Sequence, residues 1–349
     1  MKKYLQSVKK HAKLLLVLGL LKKAALVAVV LLLNSSCGGS GEKNQSKNTE
    51  SKIDYTSVKR PSFNPDSAYA FVDAQVAFGP RVPGSEAHRL CGKYLIETLS
   101  QWADTVYVQD FTAVLYNDTR VPGRNIVASF SPEKSIRILL GAHWDSRMFA
   151  DHDADEANHR KPILGANDGA SGVGVLMEIA RLLKTEKPNV GIDIILFDVE
   201  DQGTPEFDTQ NRKEDTWCLG AQYWAKNKHI PFYQAKYGIL LDMVGYTEPL
   251  FTMEEVSMYY APNVMKKVWD IAGELGHGAI FSKKKVGGVI DDHLYVSREG
   301  GIPMIDIVQY SDEGSFFKHW HTVNDNMDVI DKRTLQVVGD VVLTTIFSE

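Results

Sequence analysis

His143, Asp168, Asp201, Asp242 and His321 are five potential metal ligands, and they come from five separate segments of the chain. Glu200 stands beside Asp201 as a further carboxylate. Taken singly, an Asp after a strand is most often a turn residue or a helix cap. Their joint occurrence, each at the end of an apolar run or close to a helix start, is far more specific. Zinc takes imidazole and carboxylate ligands together, and a catalytic site keeps one position open for substrate. Asp168, Asp201 and His321 supply such a set. An ion held there acts as a Lewis acid on a carbonyl oxygen. A neighbouring carboxylate such as Glu200 can then act first as general base and afterwards as general acid.

The elements that must bring these groups together are short. NIVASF (125–130), IRILLGA (136–142), IDIILFD (192–198), YGILLDM (237–243) and IPMIDIV (302–308) are nearly all apolar. That pattern predicts strands buried on both faces of a largely parallel sheet. Helical patterns lie between them, at 86–102, 170–184, 261–275 and 333–347. The alternation predicts one α/β domain, a three-layer α/β/α sandwich with a mixed, mostly parallel central sheet. In open sheets of this kind ligands bind beyond the carboxyl ends of the strands, where the acids and histidines fall. Residues 202–216 are polar and predict a surface loop.

Over 349 residues the chain is 44% hydrophobic and 24% charged, ordinary globular values that exclude collagen, coiled coil and full disorder. The net charge is −5, and the seven lysines of residues 1–36 face no acid there, so the remainder is more acidic still. Such a body is a poor nucleic-acid binder. Within residues 1–36, lysines precede the apolar run AALVAVVLLL (24–33), and Asn34-Ser35-Ser36-Cys37 follows. This predicts a signal peptide of lipoprotein type, with Cys37 as the attachment point. The usual Leu three residues before the cysteine is replaced by Asn34, so an uncleaved anchor or simple secretion stays open. Each reading places the body outside the cytoplasm, in the periplasm or anchored to the inner or outer membrane of a bacterium, with membrane contact only through the lipid or anchor. Residues 38–52 hold no large apolar side chain, and a flexible tether is set at 37–60, ahead of a catalytic domain at 61–349. Cys91 and Cys218 could pair in an oxidising compartment or remain two buried thiols. No G-x-S-x-G, P-loop or C-x-x-C motif occurs.

HWDS (143–146), LGANDGASG (164–172), FDVED (197–201), LLDMVG (240–245), DDH (291–293) and WHT (320–322) stand in an order that resembles zinc-dependent aminopeptidases and glutaminyl-peptide cyclotransferases, which share one fold. The resemblance covers residues 65–349. For the aminopeptidases it implies two zinc ions held by His143, Asp168, Asp201, Asp242 and His321. For the cyclotransferases it implies one zinc per chain on Asp168, Asp201 and His321. There Glu200 is the proton carrier, Asp291 is hydrogen-bonded to Asp242 so that Asp242 is kept from the metal, and Trp320 and Phe316 form a small substrate pocket. Trp320, Phe316, the DDH segment and the string His143 to Arg147 favour the cyclotransferases. The implied activity is conversion of N-terminal glutamine of a peptide or protein to pyroglutamate with release of ammonia, by a monomer.

Two departures from the animal cyclotransferases stand out. Asp201 replaces a Glu and is one methylene shorter, so its loop must approach the metal more closely. A second pocket Trp has no counterpart at Gln202 to Phe207, and Trp217, beyond the insertion, is offered in its place. The rival readings are a di-zinc aminopeptidase, with His143 as a second-metal ligand, and a non-catalytic surface binding protein. The loop DHDADEANHR (151–160) is read as solvated, with a cation site as the alternative. His293 is read as orienting the Asp pair; His88, His229, His277 and His319 are read as isolated surface or core histidines.

Overall fold

Alternation with a period of two organises the core. In the computed structural model, which describes residues 53–210, 212–311 and 313–349, the strands are β1 (Thr105–Val114), β2 (Arg120–Phe130), β3 (Arg137–His143), β4 (Gly191–Phe197), β5 (Tyr237–Asp242), β6 (Phe251–Glu254), β7 (Phe281–Val286) and β8 (Met304–Val308). Six of them form one sheet in the order β1-β2-β4-β3-β5-β8. β1, β2 and β4 pair antiparallel, whereas β4, β3, β5 and β8 pair in parallel. β3, β4, β5 and β8 are buried at every position, which is why their sequences read as continuous apolar runs.

The helices are α1 (Pro65–Val76), α2 (Glu86–Leu99), α3 (Ala170–Leu183), α4 (Leu219–Lys226), α5 (Glu255–Tyr260), α6 (Pro262–Glu274), α7 (Asp292–Arg298) and α8 (Lys332–Phe347). Ile138, Leu140, Ile192, Ile194, Ile239 and Leu241 point to one face of the sheet, into a core shared with α1, α2, α3, α6 and α8. Leu139, Ile195, Phe197 and Leu240 point to the other, against Ala221 and Trp224 of α4 and Tyr295 and Val296 of α7. Each such fully buried aliphatic side chain stabilises the fold by about 1.5–3 kcal/mol. The expected three-layer sandwich with a mixed, mostly parallel sheet is present. The small parallel pair β6–β7 was not expected, because the run Lys283-Lys284-Lys285 within β7 masks any apolar pattern.

The predicted signal peptide, Cys37 and most of the predicted tether lie outside the described residues. The end of that tether, residues 53–60, docks on the body instead. Asp54 caps a short 3-10 turn at Tyr55–Ser57, and Arg60 reaches Asp340 and Thr344 of α8 at 2.8 Å each. Specific polar contacts, which composition cannot reveal, thus carry the folded chain below residue 61. Cys91 and Cys218 are free and buried. They sit in separate core clusters on opposite faces of the sheet, so the reading as two thiols applies.

Candidate active site

The carboxyl ends of the parallel strands converge on one cavity. β3 delivers His143, β4 runs into Glu200 and Asp201, and β5 ends in Asp242. Asp168 precedes α3, Asp291 caps the N-terminus of α7 through the Asp292 amide, and His321 comes from the loop after β8. Gly169 turns the chain from Asp168 into α3 at φ +94°, and a Cβ there would lie 2.9 Å from the His143 ring. Only glycine meets both demands. Val199 (φ +56°), Cys218 (φ +58°), Met243 (φ +50°) and His321 (φ +53°) also adopt left-handed backbone. Such conformations are unfavourable for residues with a side chain, and their clustering around one cavity marks a built site.

Two overlapping triads sit at the bottom. Ligand atoms of Asp168, Asp201 and His321 all lie within 4.8 Å of one another, and so do those of His143, Asp168 and Asp242. His321 Nε2 is 2.9 Å from Asp201 Oδ1 and 3.5 Å from Asp168 Oδ2. His143 Nε2 is 3.1 Å from both Asp168 Oδ1 and Asp242 Oδ1. Asp325 holds Asp168 in place by accepting from the amides of Asn167 (2.7 Å) and Asp168 (3.0 Å). Asp145 does the same for the β4 end, accepting from the amides of Glu200 (3.1 Å) and Asp201 (3.3 Å).

Burial dominates the electrostatics. It raises Glu200 well above the ordinary carboxyl range; nearby His143 counteracts this, while Asp291, Asp201 and Asp292 reinforce it. It raises Asp201 to about 7 despite Arg147 and His143, and Asp242 to about 7 despite its hydrogen bond with His143. For the histidines the same cause works downward. His321 lies well below the ordinary imidazole value through burial and the Arg147 charge. For His143 burial is outweighed by Asp145, Asp168 and Asp242, which hold it well above that value.

The donor set of the first triad fits a zinc ion. Oδ2 of Asp168 and both carboxylate oxygens of Asp201 are buried without a hydrogen-bond donor, and a neutral imidazole accompanies them. Buried acceptors left in this state are costly unless a cation or proton satisfies them. Arg147 supports the set from behind: it forms a two-pronged pair with Asp151 (2.7 Å for each contact) and donates to the Asp201 carbonyl (2.9 Å).

A cavity of about 300 Å³ opens above the triads, bounded by Glu200, Asp201, Trp217, Phe316, Trp320 and His321 among others. Trp320 stacks on His321 at 3.8 Å and packs against Phe316 at 4.5 Å. Trp217 lies parallel to the His321 ring at 5.8 Å. The predicted aromatic pair thus lines the cavity, and Trp217 lines it as well.

Some expectations change. Asp291 was expected to hydrogen-bond Asp242. Here Asp242 is bonded to His143 and senses the Asp291 charge, whereas Asp291 lies within 4.8 Å of His293 and Asp306 and likewise of Glu200 and Cys218. Asp306 is fully buried in β8 and provides Asp291 with a second carboxyl neighbour. The loop at 151–160 is not simply solvated: Asp151 and Asp153 are buried, and Asp151 approaches His321 Nδ1 at 3.7 Å. His293 is fully buried between Glu254 (3.2 Å) and Asp306 (3.8 Å). Sequence reasoning also missed Cys218, whose thiol donates to Glu200 Oε1 at 3.1 Å. A single cysteine distant in sequence carries no signal of that proximity.

A family model, peptidase family M28, matches residues 125–346, and the chain belongs to that family. Among solved structures it is similar to the glutaminyl cyclase of Bacteroides thetaiotaomicron bound to N-acetylhistamine, at 49% identity and a TM-score of 0.82, over 83% of this chain and 100% of that one. A Zn-dependent exopeptidase from Parabacteroides distasonis is 50% identical with a TM-score of 0.81, again over 83% and 100%. The glutaminyl-peptide cyclotransferase of Drosophila melanogaster is 22% identical over 286 residues, 73% of each chain. The chain spans 41% of the length of the Escherichia coli protein YfbL, which it also matches.

Proposed function

We propose that this protein is a glutaminyl-peptide cyclotransferase, an acyltransferase that converts the N-terminal glutamine of peptides or proteins to pyroglutamate with release of ammonia. The observation that carries this reading is the shared cavity. Glu200 and the Asp168–Asp201–His321 set face a space of about 300 Å³ walled by Trp217, Phe316 and Trp320, suited to enclosing one side chain. The relatives named for this activity support it.

Asp168, Asp201 and His321 would hold one zinc ion per chain. When bound, that ion supplies Lewis-acid polarisation of the substrate γ-carboxamide oxygen. Trp320 and Phe316 clasp the glutamine side chain and hold it curled toward its own α-amine, so that attack is intramolecular. The amine nitrogen bonds to the carbonyl carbon of the side-chain carboxamide, and the Glu200 carboxylate takes the proton that nitrogen sheds. Glu200 then returns the proton to the carboxamide nitrogen as its bond to that same carbon breaks and ammonia leaves. Burial keeps its affinity for a proton high enough to serve in both directions. Asp291, close to Glu200 and Cys218, adds negative charge that favours the protonated form of Glu200.

Incubation with a Gln-initiated dipeptide followed by mass analysis tests the reading. Loss of one ammonia is the expected result; release of free glutamine rejects it. The second triad, His143–Asp168–Asp242, favours the di-zinc aminopeptidase as the alternative, and in that case two tightly bound ions accompany cleavage. The basic and apolar residues ahead of Cys37 support an exported, membrane-anchored lipoprotein, and the proposal takes the protein as a monomer. Loss of fatty-acid labelling in Cys37→Ala checks the anchor, and sedimentation checks the monomer.

A further inference from the structure

Behind the catalytic carboxylates, Asp198 follows β4 and is fully buried. Its carboxylate accepts from the amides of Arg124 (2.6 Å) and Val199 (2.8 Å), and His88 Nε2 lies 2.9 Å from each of its oxygens. His88 belongs to the first turn of α2, where Ser85 Oγ accepts from its amide at 3.1 Å. Its ring stacks on Trp144 at 4.3 Å and 14°. Trp144 directly follows His143 and donates through Nε1 to the Arg124 carbonyl at 3.0 Å. Three separate parts of the chain therefore converge on one carboxylate that touches neither the cavity nor the metal ligands.

What that carboxylate grips is the turn into Glu200. Val199 is β-branched and fully buried, yet stands at φ +56°, a conformation that a branched Cβ strongly disfavours. A residue stays there only where its surroundings over-determine it. On the far side of the turn, the Val199 and Glu200 carbonyls accept from the amides of Leu219 (3.0 Å) and Cys218 (2.8 Å). Asp145 takes the Glu200 and Asp201 amides. Asp198 is the contact that fixes the amide of Val199 itself.

We propose that His88 and Asp198 are positioning residues: together they lock the left-handed Asp198–Val199 turn and so aim the Glu200 carboxylate at Cys218 and the cavity. The inference rests on Glu200 carrying the proton, and its geometric half stands independently of that role. Removing the dyad leaves the Asp145 and Cys218 contacts in place, so Glu200 is displaced rather than lost. A misplacement of about 1 Å costs about 10²-fold in rate.

The test compares kcat, KM and zinc content of His88→Ala, His88→Gln and the near-isosteric Asp198→Asn, each alone and combined with Val199→Gly. It adds a crystal structure of whichever single variants fold. The expected result is a kcat lowered about 10- to 100-fold with KM within about twofold and zinc content unchanged, most severe for His88→Ala. Val199→Gly should restore most of that loss, because glycine holds a positive φ unaided. The crystal structures should show Val199 leaving the left-handed region and Glu200 withdrawn from Cys218. Unchanged kcat, a loss that Val199→Gly does not restore, or an unmoved turn overturns the proposal. A wild type that turns over no Gln-initiated peptide overturns the reading of Glu200 as proton carrier, and the position of the turn still decides the geometric claim.

Discussion

Asp168 belongs to two buried triads at once, and they are built differently. In one, it meets Asp201 and His321, where three carboxylate oxygens lack donors and the imidazole is held neutral by burial. In the other, it meets His143 and Asp242, where a single imidazole nitrogen lies 3.1 Å from both carboxylates and is held charged by them. A neutral histidine among unsatisfied carboxylates has the donors a metal needs. A protonated histidine has no lone pair to give, and its charge already satisfies the acids around it. In the metal-free protein the same residue types at similar distances therefore form an open donor set in one place and an internal ion pair in the other.

The largest effects should come from the first triad. Stripping the metal with a chelator, or His321→Ala or Asp201→Ala, should lower kcat/KM beyond the about 10³-fold that losing one oxyanion donor can cost. One equivalent of zinc per chain should restore the chelated wild type and neither variant. Restoration that requires two equivalents breaks the distinction between the triads. Next comes Glu200→Gln, which should lower kcat about 10²- to 10⁴-fold while zinc content, measured by atomic absorption, stays at the wild-type level. Full activity in that variant removes Glu200 from the mechanism.

The second triad should respond more weakly. His143→Gln removes the positive charge that tempers Glu200, Asp201 and Asp242, so kcat should fall about 10- to 100-fold, as for residues that support ligands without ligating. Zinc stoichiometry should remain one. A wild type with two ions and a variant with one would instead make His143 a ligand, and the aminopeptidase reading would follow.

How much of this was legible in the sequence differs between the same two regions. Strand ends announce themselves through apolar runs, so His143, Glu200, Asp201 and Asp242 could be placed on one face before any coordinates. His321 and Trp320 lie in a loop, where only the resemblance of WHT and its neighbours pointed to them. The partnerships were less visible. Whether Asp291 turns to Asp242 or Asp306 depends on how α7 packs over β8, and both choices have the same sequence. Likewise Asp151 sits in a loop whose composition is that of a solvated segment, yet the buried Arg147 draws it inward. Polar pairing between side chains has no period for a pattern to reveal.

The smallest expected effect is on stability, and it separates the triads by pH. Asp201 and Asp242, one from each triad, titrate at about 7 in the folded protein against about 3.9 in an unfolded chain. Their folded values are raised, so their contribution to stability is complete below the unfolded value and is lost as pH rises through about 7. At the lower end of the window from pH 6.5 to 8, histidines lowered by burial, His321 and His229 among them, are neutral in the fold and still about half protonated in the unfolded chain, so they oppose this loss and the share of each aspartate is read as a difference between wild type and variant. Across that window the Tm of the metal-free wild type should therefore fall more, or rise less, than that of metal-free Asp201→Asn or Asp242→Asn, each of which lacks one raised carboxyl. Zinc binds the ionised form of Asp201, so loading should remove that residue's share of the slope and leave that of Asp242. Asp242→Asn in the zinc-loaded protein should then remove that share and leave only what other raised groups, Glu200 and Asp325 among them, contribute. A slope that Asp201→Asn and zinc both leave untouched would mean that Asp201 is already ionised without an ion beside it, and the contrast between the two triads would lose its electrostatic basis.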